Sequence, residues 1–134
     1  MRTETFTLRT GSRTAHDITE RVAGFAAQGG GDGLLQIFVP HATAGVALME
    51  TGSGSEEDLD ELLARLLPRD DRYAHRHGSP GHGGDHLLPV VVSPSLVLPV
   101  VDGVLQLGTW QSVVLVDPNR DNDVRTVRLS LLEG

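Results

Sequence analysis

The dipeptide Asp102-Gly103 lies between two apolar, partly β-branched runs, Ser95 to Val101 and Val104 to Gly108. Asp-Gly readily supplies the positive φ angles of a two-residue hairpin turn, so this stretch predicts a β-hairpin. Much of the chain follows the same plan. Thr3 to Arg9 alternates, with Phe6 and Leu8 on one face and Thr5, Thr7 and Arg9 on the other, which is the pattern of a half-buried strand. Leu34 to Val39 and Ala44 to Met49 are short apolar runs broken by Pro40-His41-Ala42-Thr43, and both favour strands. Val113 to Val116 and Val124 to Leu132 add two more, separated by the turn-rich Asp117 to Asn122.

Two helices are expected among these strands. Asp17 is placed to cap one in which Ile18, Val22, Phe25 and Ala26 share a face, with Gly29-Gly30-Gly31 ending it. Ser55 followed by Glu56, Glu57 and Asp58 opens the other, where Leu59, Leu62, Leu63, Leu66 and Leu67 recur at helical spacing until Pro68. The acidic run is a solvated helical face. No internal repeat or linker divides the 134 residues, so residues 1–134 are read as one α+β domain with two principal helices.

Composition narrows the function. Aromatic residues make up 4% against 39% hydrophobic, so Val and Leu must fill most of the core. A net charge of −7 lacks the positive field that a phosphate backbone requires, which argues against nucleic-acid binding. The chain has no cysteine, which removes disulfides, thiolate metal clusters and a Cys nucleophile. It has no lysine either, so every fixed cation is arginine and Schiff-base chemistry is excluded. Apolar runs such as Leu87 to Val92 fall far short of a membrane span, and the start Met1-Arg2-Thr3-Glu4 has no apolar signal region; a soluble, cytoplasmic protein is expected.

Histidine is the residue type that invites chemistry. Four of the six, His75, His77, His82 and His86, fall in a segment from Pro68 to Asp85 and just beyond that has no apolar periodicity. Neutral imidazoles bind zinc and similar ions, and catalytic zinc commonly has three protein ligands and one open position. His77 and His82, each beside glycine, read more simply as solvated loop residues, whereas His41 at a strand edge can join a loop-built site. Glu50 ends a strand and is either a base or ligand near His41 or a solvated strand-end acid. Trp110, the only tryptophan, and Gln111 interrupt a strand pattern after Gly108, and offer either core packing or a ligand platform.

His41-Ala42-Thr43-Ala44-Gly45 through Glu50, Tyr73-Ala74-His75, His86, Ser95 to Val100 and Gly108-Thr109-Trp110-Gln111 together resemble the YjbQ family, small proteins assigned secondary thiamine-phosphate synthase activity. The likeness runs from the first strand to Leu132, and its most specific part is the pattern from Ser95 to Gln111. It implies an α+β fold of packed, mainly antiparallel sheet and a homotrimer. It also implies a divalent metal, zinc or magnesium, on His41, His75 and His86. His41, Glu50 and His86 would be catalytic, and Trp110 and Gln111 would shape the pocket for a small phosphorylated substrate. The implied reaction joins a thiazole phosphate to a pyrimidine pyrophosphate; the same ligands also suit a metal-assisted hydrolase or a trimeric metal- or ligand-binding protein without turnover. The chain departs from the family pattern at Thr51 to Gly54 and at Leu87 to Val92, where the β-branched run favours a strand.

Overall fold

The computed structural model describes residues 1–76 and 78–134; His77 lies outside the described residues. Among the described residues, eight strands form two antiparallel sheets. The first has five strands: β1 (Arg2–Arg9), β8 (Val124–Glu133), β3 (Gly33–Phe38), β5 (Ser95–Val101) and β6 (Val104–Leu105), in that spatial order. The second has three: β2 (Ala15–Asp17), β7 (Ser112–Val116) and β4 (Gly45–Met49). Three helices, α1 (Thr19–Gly29), α2 (Ser55–Leu66) and the short α3 (Leu88–Val91), complete a single α+β domain.

The hairpin forms as its turn chemistry requires, since Asp102 and Gly103 take φ of 50° and 76°. Its second strand, however, ends at Leu105 and does not reach Gly108. Helix α1 starts at Thr19 with Ile18 at its N-cap; Asp17 acts one residue earlier, accepting from the backbone N–H and hydroxyl of Thr19. Gly30 closes that helix in the left-handed conformation. Gly54, at φ 90°, takes the cap position of α2 that Ser55 was expected to hold.

Strand β7 explains how a chain poor in aromatics buries enough surface. Val113, Val114, Leu115 and Val116 are all at 0% exposure, because the strand is covered on both faces. Val113 and Leu115 join the main core with Phe6, Phe25, Leu35, Ile37 and Leu129. Val114 and Val116 point the other way and meet Leu63 of α2 and Leu88 of α3 in a second, smaller core.

That smaller core also accounts for a difference from the sequence reading. Leu87 to Val91 is helical and only Val92 is extended: a 3₁₀ turn over His82–Leu87 runs into α3. Pro89 stands in the first turn, where its fixed φ favours a helix and its missing N–H costs nothing, and Leu88 is driven into the second core at 0% exposure. Those two effects outweigh the strand preference of three valines. Strand β2, only three residues long, is too short to register as a periodic pattern.

One inward position of β8 is not apolar. Arg125 shares the buried face with Val127, Leu129 and Leu131, and is 3% exposed. Its Nε donates to Asp117 Oδ2 at 2.6 Å, and its NH2 donates to Asp117 Oδ1 at 3.0 Å and to Thr43 Oγ1 at 2.8 Å. Replacing Asp117 by Ala strands this guanidinium in the core, so Asp117→Ala should lower unfolding free energy by about 3–5 kcal/mol in urea titration. Arg9→Ala, which removes an exposed partner of Asp123, should leave stability nearly unchanged.

Candidate metal centre

The segment after α2 folds back over the 3₁₀ turn and brings three imidazoles together. Gly81 starts the turn at φ 79°, and the four-residue spacing from His82 to His86 places both rings on one side of it. His82 Nε2 and His86 Nε2 are 2.5 Å apart. The ring of His75 stands 3.9 Å from that of His86 and 6.1 Å from that of His82, centroid to centroid. One nitrogen from each of the three lies within 4.8 Å of the others.

Glycines make this approach possible. A Cβ on Gly83 would lie 2.7 Å from Tyr73 Cβ and 2.8 Å from the carbonyl oxygen of His75, so the strand of chain carrying His75 can rest directly on the turn. The Tyr73 hydroxyl donates to the Pro68 carbonyl and anchors that segment.

A polar shell surrounds the buried side of the cluster. Asp85, 4% exposed, accepts from Arg69 NH2 at 2.9 and 3.0 Å and from Asn119 Nδ2 at 2.9 Å. Arg69 also donates to the Pro118 carbonyl, tying the turn to the loop after β7. At the His82 ring itself, Asp121 Oδ2 is 2.6 Å from Nδ1. Ser79 donates to the same carboxylate, and its side chain first and its backbone N–H second hold that carboxyl's pKa below the usual range, with His82 adding to the effect. A cleft of about 360 Å³ opens onto the cluster, walled by His75 and His82 with Tyr73, Arg76 and Ser79. A second cleft, about 560 Å³, is lined by Asp17, Glu56, Glu57 and Asp60 and, among the described residues, by no histidine.

His75 and His86 therefore meet as expected, while the third member is His82, which the sequence reading had placed in solvent. It is 6% exposed, because Gly78, Asn119 and Asp121 close around it. The His-x-x-x-His spacing was the available signal, since residues four apart share a face of a helical turn. His41 is not among the three. It is half-buried at the β3–β4 connection, and its Nε2 accepts the Thr126 N–H at 2.8 Å, so an ion at that nitrogen would have to displace a backbone bond. Glu50 is exposed just after β4. Trp110 is 73% exposed on the turn between β6 and β7, so it is not a core residue, and Gln111 Oε1 accepts the Gly108 N–H within that turn. Neither lines the histidine cleft.

Three imidazole nitrogens converging beside an open cleft match the donor set of a zinc site with one exchangeable position. Nitrogens sharing one tetrahedral zinc stand about 3.3 Å apart, so the rings of His82 and His86 need to part by under ~1 Å. A model of the family described as UPF0047 protein YjbQ-like matches residues 4–134. A UPF0047 protein of Mycobacterium tuberculosis is 58% identical over 134 residues, covering 100% of both chains. The UPF0047 protein YjbQ of Escherichia coli O157:H7 is 30% identical over 115 residues, covering 84% of this chain and 83% of its own. Among solved structures, a hypothetical protein from Aeropyrum pernix superposes with a TM-score of 0.90 at 34% identity and full coverage of both chains. A conserved hypothetical protein from Thermus thermophilus gives 0.83 at 32%, covering 96% of this chain and 99% of its own.

Two histidines outside the cluster carry a pH signature. Burial lowers the pKa of His16, and burial followed by the charge of Arg125 lowers that of His41. The folded chain then refuses protons that the unfolded chain accepts, so stability is full above about pH 6.5 and declines as pH falls below it. Urea titrations at pH 7.5, 6.5 and 5.5 should show that decline, and it should be shallower in a His16→Gln, His41→Gln double variant.

Proposed function

The chain belongs to the YjbQ-like UPF0047 family, and on that premise we propose that it is a zinc-dependent enzyme of the thiamine-phosphate synthase type, with His75, His82 and His86 holding the ion. The observation that carries the reading is the convergence of three imidazoles, two of which line an open cleft. Nitrogen donors favour zinc over magnesium, which prefers oxygen ligands and retains water. A divalent cation, when bound, offsets the charge that develops on a departing pyrophosphate. The chain's own contribution is to bind and orient. Arg76 brings a permanent cation to the cleft wall, suited to a phosphate group, and Ser79 adds a hydroxyl there. The His82 side of the cluster is buried and so excludes water from behind the ion. His86 thus keeps the part that the family resemblance assigns to it, whereas His41 and Glu50 stand outside the cleft wall.

We infer as well that the chain assembles as a homotrimer. Support comes from the outer face of the five-stranded sheet, where Leu34, Val97 and Leu132 are each at least half exposed around a shallow groove. Val101 and Val104 extend the same apolar surface toward the hairpin turn. A patch of this kind is commonly covered by self-association, and closed symmetry lets it be covered without open-ended growth.

Chelator competition with zinc should give one ion per wild-type chain, with affinity lost by at least tenfold in His82→Ala and His86→Ala and retained in His41→Ala. Zinc uptake unchanged by the first two variants would overturn the ligand set. With zinc bound, thiamine phosphate should form from the two phosphorylated precursors; tight zinc binding without product would leave a non-catalytic metal protein. Light scattering should report three chain masses at micromolar concentration, and a monomer there would remove the trimer.

A further inference from the structure

Two of the groups around His82 Nδ1 make opposite demands on it. Asp121 Oδ2, 2.6 Å away, can only accept when ionised, and so requires a proton on Nδ1. Asn119 Nδ2, 2.9 Å from the same atom, can only donate, and so requires Nδ1 to be bare. The amide cannot be turned round to remove the conflict, because its oxygen accepts the Asp121 N–H at 2.9 Å while its nitrogen donates to Asp85 Oδ2 at 2.9 Å.

Charge decides between them. The carboxylate contact is the shorter, and a hydrogen bond to an ionised acceptor is roughly twice as strong as a neutral one. The Ser79 N–H donates to the same Oδ2 at 3.2 Å, so this oxygen already serves as an acceptor. Asn119 meanwhile keeps one of its two N–H donors engaged with Asp85 and gives up only the other. A neutral imidazole with its proton on Nδ1 has its lone pair on Nε2, and Nε2 is the atom that faces His86.

We propose that Asp121 is a positioning residue: it keeps the proton of neutral His82 on Nδ1 and thereby presents the Nε2 lone pair to the point where His75 and His86 converge. The arrangement is that of a carboxylate behind a metal-binding histidine, which orients the ring and raises its basicity. The effect on zinc rests on the metal reading given above, whereas the tautomer itself does not. Asp121 is separated from the cluster in sequence by the whole hairpin and β7, so the loop after β7 becomes part of the centre without supplying a ligand.

The test reads the tautomer first and the metal second. In metal-free, ¹⁵N-labelled protein at pH 8, imidazole nitrogen shifts should show His82 protonated on Nδ1 in the wild type. In Asp121→Ala, where Asn119 Nδ2 remains 2.9 Å from Nδ1 and the Asp85 carboxylate stands back at 4.0 Å, the proton should move to Nε2. Zinc affinity measured by chelator competition should fall about 10–100-fold in Asp121→Ala. Asp121→Asn, whose side-chain oxygen still accepts, should recover part of both readings, and melting temperatures of all three proteins should agree within a few degrees. A wild-type His82 protonated on Nε2 or on both nitrogens overturns the proposal, as does an Asp121→Ala protein with unchanged tautomer. The expected tautomer change in a wild type that takes up no zinc upholds the positioning role and removes the metal reading instead.

Discussion

The ion pair between Asp117 and Arg125 is the contact from which both the core and the histidine cluster are laid out. Both side chains are essentially without solvent, at 0% and 3% exposure. A charge in such a place must be matched, because leaving one partner alone costs far more than the pair gains. The match is made between the end of β7 and the start of β8, and Thr43 from the β3–β4 connection completes it. An apolar pair of the same volume would fill that space at least as well. It would not do what Asp117 does next, which is to accept the Asn119 N–H at 3.0 Å and open the loop toward His82.

From that point the polar side chains form a relay. Asn119 Oδ1 accepts the Asp121 N–H, so one short side chain after another bends the backbone by accepting from the residue two positions on. The relay ends with Asp121 against His82 on one side and Asn119 against Asp85 on the other. Arg69 closes it by holding Asp85 and the Pro118 carbonyl together. Partly satisfied polar networks of this kind are unstable and fully satisfied ones are specific. The loop after β7 is therefore set by hydrogen bonds that begin in the core, although it contains no regular structure and little apolar surface.

How much of this could be read from the sequence follows from the range of the forces involved. β1, β3, β4, β5, β7 and β8 and the two longer helices were visible because burial leaves an apolar run or an apolar period in their own residues. The turn at Asp102-Gly103 was visible because positive φ selects residue type directly. Leu87 to Val92 misled because its local preference and its packing disagree: three valines favour a strand, while Pro89 and the burial of Leu88 against Leu63, Val114 and Val116 favour a helical turn. The placement of His82 was hidden for a related reason. Its burial is produced by Asn119 and Asp121, nearly forty residues further on, and no window around His82 contains them.

The glycines of the histidine segment show why composition alone pointed the wrong way there. A stretch rich in Gly, Pro, Asp and His without periodicity reads as a functional or disordered loop. In the structure the same glycines are sites of contact. A Cβ on Gly78 would lie 2.6 Å from Asp121 Oδ2, and one on Gly81 would lie 2.9 Å from the Arg69 backbone. One on Gly84 would lie 2.8 Å from the Tyr73 hydroxyl. Gly78 and Gly81 also take positive φ, which other residues adopt only at a cost. Glycine lowers order where it is surrounded by water, and permits close packing where it is surrounded by chain. Which of the two holds depends on whether partners exist to press against it. Here those partners are supplied by the relay from Asp117, so the segment that looks least structured in the sequence is held by the most deeply buried charge in the core.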